Sequence, residues 1–156
     1  MTDSITITGP EKASLKECEQ ILRSLPEYFG IEEALVQYLD DIKDLLTFHA
    51  RVNAQAVGFL SISRHAPESA EIHVMGIIPQ EHRKGIGSAL VKSAEAYLRQ
   101  QGAILFQVKT LGEAHPDENY KKTRCFYRAM GFLPLEEIPD FWGQGLPTLF
   151  MVKPLS

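Results

Sequence analysis

The spacing of apolar positions changes several times along the chain, and each change marks an element. Ser4 to Thr8 alternates isoleucine with polar residues at strand period and meets Gly9-Pro10, a pair that punctuates regular structure. Leu15, Cys18, Ile21, Leu22 and Leu25 then recur at helical spacing. Pro26 interrupts that helix, and Ile31 to Leu39 resumes it with Ala34, Leu35, Tyr38 and Leu39, so a strand followed by a helical hairpin is predicted. Leu45 to Val52 and Ala56 to Ser63 read as strands around the turn Asn53-Ala54-Gln55. A further strand runs from Ala70 to Ile78 after Pro67, completing an antiparallel meander.

Gly85 opens a long amphipathic helix whose Ile86, Leu90, Ala94, Tyr97 and Leu98 share a face, and Gly102 supplies the left-handed residue that ends it. Ala103 to Thr110 follows as a strand with Ile104, Phe106 and Val108 on one side. A second helix spans Glu118 to Met130, with Asp117 as its cap and Gly131 as its stop; strands at Phe132 to Glu136 and Thr148 to Val152 close the chain. The order β-α-α-β-β-β-α-β-α-β-β, in a single domain over residues 1–156, predicts an α/β fold with a mixed sheet and helices on both faces.

Composition narrows the function classes. A chain of 156 residues that is 44% hydrophobic can bury a core without metals or disulfides. Its apolar runs are too short to span a bilayer, and Met1-Thr2-Asp3-Ser4 does not open a signal peptide, so a cytoplasmic protein without a membrane partner is expected. Cys18 and Cys125 lack metal-ligand spacing and read as reduced thiols, Cys125 as a buried one; no metal is expected, and His115-Pro116-Asp117 reads as loop and cap. A net charge of −4 with only short basic clusters argues against nucleic acid but leaves room for a local anionic ligand.

The place for that ligand is the turn Arg83-Lys84-Gly85-Ile86-Gly87-Ser88, which follows the apolar strand ending at Ile78-Pro79. Amides at a helix start have no partner within the helix, so they are free to meet phosphate oxygens. Gly85 and Gly87 lack a Cβ and would let a diphosphate approach the main chain, while Arg83 and Lys84 add positive charge. A glycine pair alone also serves many purely structural turns. Its weight comes from a second motif, Phe126-Tyr127-Arg128-Ala129-Met130-Gly131-Phe132.

Together the two motifs resemble the signatures of the GNAT superfamily, the GCN5-related N-acetyltransferases. His82-Arg83-Lys84-Gly85-Ile86-Gly87 aligns with Gln/Arg-x-x-Gly-x-Gly/Ala, with His82 standing where glutamine or arginine is usual, and the second motif matches Phe/Leu-Tyr-x-x-x-Gly-Phe. The resemblance implies a mixed, mostly antiparallel twisted sheet of about seven strands with about four helices. It also implies acetyl-CoA as cosubstrate and a primary amine as acceptor. Acetyl-CoA would lie in a V-shaped opening between the strand ending near Ile78 and the strand near Ile104 to Val108. By the same analogy Met75, Gly76 and Ile77 offer main-chain hydrogen bonds to the pantetheine arm, and His82, Arg83, Lys84, Gly85, Ile86, Gly87 and Ser88 surround the pyrophosphate. The asparagine that family members often place seven residues before their tyrosine falls at Tyr120, beside Asn119.

For the chemistry, the resemblance assigns Tyr127 as general acid near the cofactor sulfur and a backbone N–H of the Gly76-Ile77 segment to the oxyanion. Glu71 lies fourteen residues before Gly85, the register of the glutamate base in the histone-acetyltransferase branch. Strand alternation places Glu71, His73 and Met75 on one face, so His73 can assist or replace Glu71 through a water. The plainer readings are a packed tyrosine and a solvent-facing glutamate. Tyr28, Phe29 and Tyr38 on one side and Phe141, Trp142 and Gln144 on the other are expected walls of the acceptor pocket, with core packing as the alternative. A mildly acidic chain with aromatics at its cleft suits a small cationic amine rather than a protein acceptor. Lys121, Lys122 and Arg124 form either a solvated helix face or a contact for the 3′-phosphate of coenzyme A. Two other functions stay open: a non-catalytic coenzyme A-binding domain, and a nucleotide-binding domain that Ser88-Ala89 in place of Lys-Ser/Thr disfavours. The C-terminal edge strands leave pairing across a homodimer open.

Overall fold

The computed structural model describes residues 4–155. Seven strands form one sheet: β1 (Ile5–Lys12), β2 (Leu46–Val52), β3 (Gln55–Ala66), β4 (Ser69–Ile77), β5 (Leu105–Leu111), β6 (Leu133–Ile138) and β7 (Thr148–Pro154). Their order is β1-β2-β3-β4-β5-β7-β6, and every neighbouring pair is antiparallel except β4 with β5. The expected turn between β2 and β3 is real: Asn53 and Ala54 both adopt positive φ, the geometry that suits the twist of a tight hairpin.

Helices α1 (Leu15–Arg23), α2 (Pro26–Phe29) and α3 (Glu32–Ile42) cover one face, where Cys18, Ile21, Leu22, Leu35 and Ile42 pack on Phe59 and Val74. Helices α4 (Ile86–Gln100) and α5 (Glu118–Ala129) cover the other. There Leu90, Ala94, Leu98 and Tyr127 share a core with Ile72, Phe106 and Val108. The fold is the mixed, mostly antiparallel sheet with helices on both faces that the element order implies, with the Pro26 turn forming a short helix of its own.

Several local expectations are corrected. β1 does not stop at Gly9-Pro10; it continues to Lys12 with a register slip against β2 between Thr8 and Glu11. Ile104 does not belong to the buried side of β5. It precedes the strand, its side chain is 54% exposed, and its amide donates to the Glu68 carbonyl. Cys125 is exposed rather than buried, because α5 buries only Tyr127 and Cys125 lies about 200° around the helix from it. Cys18 is fully buried, and burial pushes its thiol up to about 12.

Two features of β4 set up the site. Its register against β3 shifts between Ser61–Val74 and Ile62–Ile72, so His73 is an extra, bulged residue. Alternation therefore breaks. Ile72 faces the α4 core, Val74 faces the α1 core, and Met75 returns to the α4 side. Glu71 and His73 share a face, but Met75 does not join them as strict alternation predicts. Second, β4 pairs with β5 only from Ser69–Leu105 to Ile72–Val108, although the strands run on to Ile77 and Leu111. Beyond the bulge they diverge into the V-shaped opening that the resemblance implies.

Candidate active site

The opening between β4 and β5 widens into a cavity of about 1140 Å³, lined from Glu71 to Ile77 on β4, by Val108 to Thr110 on β5, and by residues of α2 to α5. At one end stands the start of α4. Gly85 is its N-cap, left-handed at φ +82°, and no side chain caps the helix. The first helical hydrogen bond is Ala89 N–H to Gly85 C=O, and the amides of Ile86, Gly87 and Ser88 have no protein acceptor among the described residues. Unpaired amides and the positive end of the helix dipole together favour an anion there. Arg83, also left-handed at φ +65°, belongs to the same turn and lines the cavity, and Lys122 of α5 lines the cavity as well.

The two glycines of this turn do different things. A Cβ on Gly85 would meet nothing within 4 Å, so that residue leaves the main chain open to an approaching ligand. A Cβ on Gly87 would stand 3.1 Å from Ile77 Cδ1 and 3.1 Å from Phe126 Cζ. Gly87 is required by the close packing of α4 on β4 and α5, not by phosphate approach.

Along the opening, Ile78 N–H donates to the Val57 carbonyl on β3, so across that peptide the Ile77 carbonyl points away from β3 into the gap. Strand alternation directs the main-chain groups of Met75 the same way and those of Gly76 back to β3. Met75 and Ile77 thus present the free edge. Gly76 serves packing instead: a Cβ on it would come within 3.1 Å of Ile21 and 3.3 Å of Leu25. His82 Nε2–H donates to the Ile77 carbonyl at 2.7 Å, tying the loop before α4 to that edge.

Tyr127 stands where α5 meets the cavity. It is 6% exposed, its ring packs on Phe126 and Phe132, and its hydroxyl has no hydrogen-bond partner among the described residues. Burial first, and the neighbouring phenols of Tyr120, Tyr38 and Tyr28 second, hold its acidity well below that of an ordinary tyrosine. Tyr120 is likewise pushed up to about 12, chiefly by burial. Tyr28 meets Tyr120 edge to face at 5.1 Å and donates its hydroxyl to the Asn119 carbonyl at 3.0 Å, locking α2 onto α5.

Glu71 is not a solvent-facing charge. It is 6% exposed, with Oε2 accepting from Lys109 Nζ at 2.7 Å and Oε1 accepting from His65 Nε2 at 2.6 Å. His73, pushed outward by the bulge, donates its Nε2–H to Asp41 Oδ2 at 2.9 Å and meets the Tyr38 ring edge to face. That donation fixes the tautomer of the neutral ring and leaves Nδ1 with its lone pair.

The sequence comparisons agree with this geometry. The family model described as acetyltransferase (GNAT) family matches residues 15–132. The chain belongs to this family. An uncharacterized N-acetyltransferase of Chlorobaculum tepidum is 26% identical over 134 residues, covering 83% of this chain and 78% of the relative. The ribosomal-protein-S18-alanine N-acetyltransferase from Escherichia coli superposes with a TM-score of 0.79 at 16% identity, over 98% of this chain and 95% of that one. An aminoglycoside 6′-N-acetyltransferase complexed with coenzyme A superposes with a TM-score of 0.76 at 17% identity, over 97% of each chain. At these identities the likeness of the solved structures establishes the fold. Family membership makes the chain an N-acetyltransferase and implies acetyl-CoA as cosubstrate.

In this GNAT domain, most residues singled out in the sequence come together around one cavity: Tyr127, Glu71, His73, Met75, Gly76, Ile77, His82, Arg83, Gly85, Ile86, Gly87, Ser88 and Tyr120, with Tyr28, Phe29, Tyr38, Phe141 and Trp142. Lys84 does not line it; its ammonium turns to Glu81 at 3.3 Å. Asn119 also stays outside, engaged through its main chain in the Asp117 cap and with Tyr28, and Gln144 is absent from the lining. Of the basic trio on α5, Lys122 faces the cavity while Arg124 donates to the Leu111 carbonyl. Asp41, His65 and Lys109 were not singled out in the sequence. No motif points to them: a lysine inside a central strand and an aspartate at a helix C-terminus, where the dipole disfavours it, only mark two of them as unusual without giving a role.

Proposed function

We propose that this GNAT enzyme transfers an acetyl group from acetyl-CoA to the primary amine of a small molecule by direct attack. Tyr127 acts as general acid, and His73, held by Asp41, acts as base, directly or through a water. The observation that carries the reading is the junction of unpaired α4 amides, a splayed strand edge at Met75 and Ile77, and a buried phenol at one continuous cavity.

The residues present suit the cosubstrate. Ile86, Gly87 and Ser88 amides with Arg83 would hold the pyrophosphate, and Lys122 is placed for a further phosphate. Main-chain groups of Met75 and Ile77 would hold the pantetheine arm as an added strand and supply an N–H to the oxyanion. The amine attacks the thioester carbonyl, forming C–N as C–S breaks. Its surplus proton passes to His73 Nδ1, and the departing thiolate takes a proton from the Tyr127 hydroxyl. Glu71 suits the base role less well, because Lys109 and His65 already engage both its oxygens. It is better suited to hold β3, β4 and β5 together at the apex of the opening.

The test is release of coenzyme A thiol in the presence of amines. Tyr127→Phe is expected to lower the rate on the order of 10²–10⁴-fold with acetyl-CoA binding retained. Equal measurable rates for the two proteins would remove Tyr127 from the general-acid role, and acetyl-CoA binding with no thiol release by either would favour the non-catalytic binding domain instead.

A further inference from the structure

The proposed reaction leaves its acceptor unspecified, and the charges around the cavity bear on it. Two carboxylates line it, and each has a partner: Glu71 has Lys109 and His65, and Glu81 has Lys84. Asp41, just behind His73, is committed to that ring. Among the described residues, therefore, no acid at the cavity is left to receive an ammonium group. Arg83 and Lys122 also line the cavity without a carboxylate partner among the described residues, but in the reading above the phosphates of the cosubstrate engage them, so they bear on the cofactor and not on the acceptor.

The walls beyond the apex are aromatic instead. Tyr28, Phe29 and Tyr38 come from the helical side. Phe141 and Trp142 come from the loop between β6 and β7, and they are 49% and 41% exposed. Both also line the cavity, so they offer apolar surface to whatever enters it. The loop that carries them is held in shape: Asp140, at φ +58°, accepts the Gly145 amide at 2.7 Å, and Phe141 stacks edge to face on Phe150 at 5.1 Å.

We infer that the acceptor is a monoamine on an apolar or aromatic body, not a polycation such as a polyamine or an aminoglycoside. The inference rests on the amine-acetylation reading above. Ring faces attract one ammonium group. That group must lose its proton to attack, and after it has done so an apolar body remains to fill the aromatic mouth. A polyamine brings further ammonium groups that would be desolvated beside the Lys109–Glu71 pair with no free carboxylate to receive them.

The experiment compares kcat/KM of the wild type for 2-phenylethylamine, hexylamine and spermidine, each with saturating acetyl-CoA, and repeats it with Trp142→Ala and Lys109→Met. The expected result is a preference of at least 10-fold for the two monoamines over spermidine. Trp142→Ala, on an exposed loop, should reduce the 2-phenylethylamine value about 10-fold, several-fold more than it reduces the spermidine value. Lys109→Met, which leaves Glu71 less compensated, should raise spermidine relative to hexylamine. A wild type that prefers spermidine, or a Trp142→Ala variant that loses both substrates equally, overturns the inference. Calorimetric binding of acetyl-CoA reads the proposed function separately. If acetyl-CoA binds but none of the three amines is acetylated, both the inference and the small-amine reading fall.

Discussion

At the scale of single residues, the proposed reaction is divided between a phenol kept neutral by burial and an imidazole kept in one tautomer by a carboxylate. The sign of the Tyr127 shift gives a pH prediction. A raised phenol retains its proton beyond the ordinary tyrosine range of about 10, so the general acid is present through the whole assay range. The kcat/KM profile should therefore show no decline from loss of the Tyr127 proton up to about pH 10. A decline setting in below pH 9 would contradict the assignment. In the proposed mechanism Asp41 acts through His73, so Asp41→Asn and His73→Ala should each lower kcat with KM for acetyl-CoA unchanged. The double variant should be no slower than His73→Ala, whereas additive losses would separate the two roles. Tyr127, Glu71 and His73 were legible in the sequence because motif and register mark their positions. Lys109 and Asp41 were not, because each matters only through a partner 38 or 32 residues away.

At the scale of elements, the bulge at His73 is the feature that periodicity could not supply. A period-two pattern says nothing about one inserted residue, and that residue moves His73 towards α3 and Met75 to the opposite face. The boundary at Gly9-Pro10 failed for a related reason: β1 tolerates the pair by shifting register rather than ending. The two glycines of the α4 turn make a testable contrast. Gly87→Val would press on Ile77 and Phe126 and should destabilise the protein by about 1–3 kcal/mol in thermal or denaturant unfolding. Gly85→Ala has room but places a Cβ at φ +82°, for a cost of about 1–2 kcal/mol, and should weaken coenzyme A binding more than Gly87→Val does. The helices also set thiol access. A maleimide should modify Cys125 in the native protein and spare Cys18, which burial keeps as an inert thiol. Rapid modification of both would contradict the packing of α1 on the sheet.

At the scale of the whole molecule, element order and two motifs were enough to anticipate the sheet, the helices on both faces and the opening between the two parallel strands. What they could not anticipate was the charge balance of the cavity. Net charge over the chain is −4, which suggests a cationic acceptor, yet folding pairs both carboxylates that line the cavity, so neither is free to receive one. Charge summed over the chain does not decide the acceptor, because only the groups that line the cavity meet it. The central claim is that the unpaired α4 amides and the open β4 edge form a coenzyme A site. Isothermal titration of the folded wild-type protein with coenzyme A tests it most directly. One site per chain is expected, with Arg83→Ala and Lys122→Ala each binding more weakly and the melting temperature rising with ligand concentration. A folded protein that takes up no coenzyme A and gains no thermal stability from it would contradict the claim.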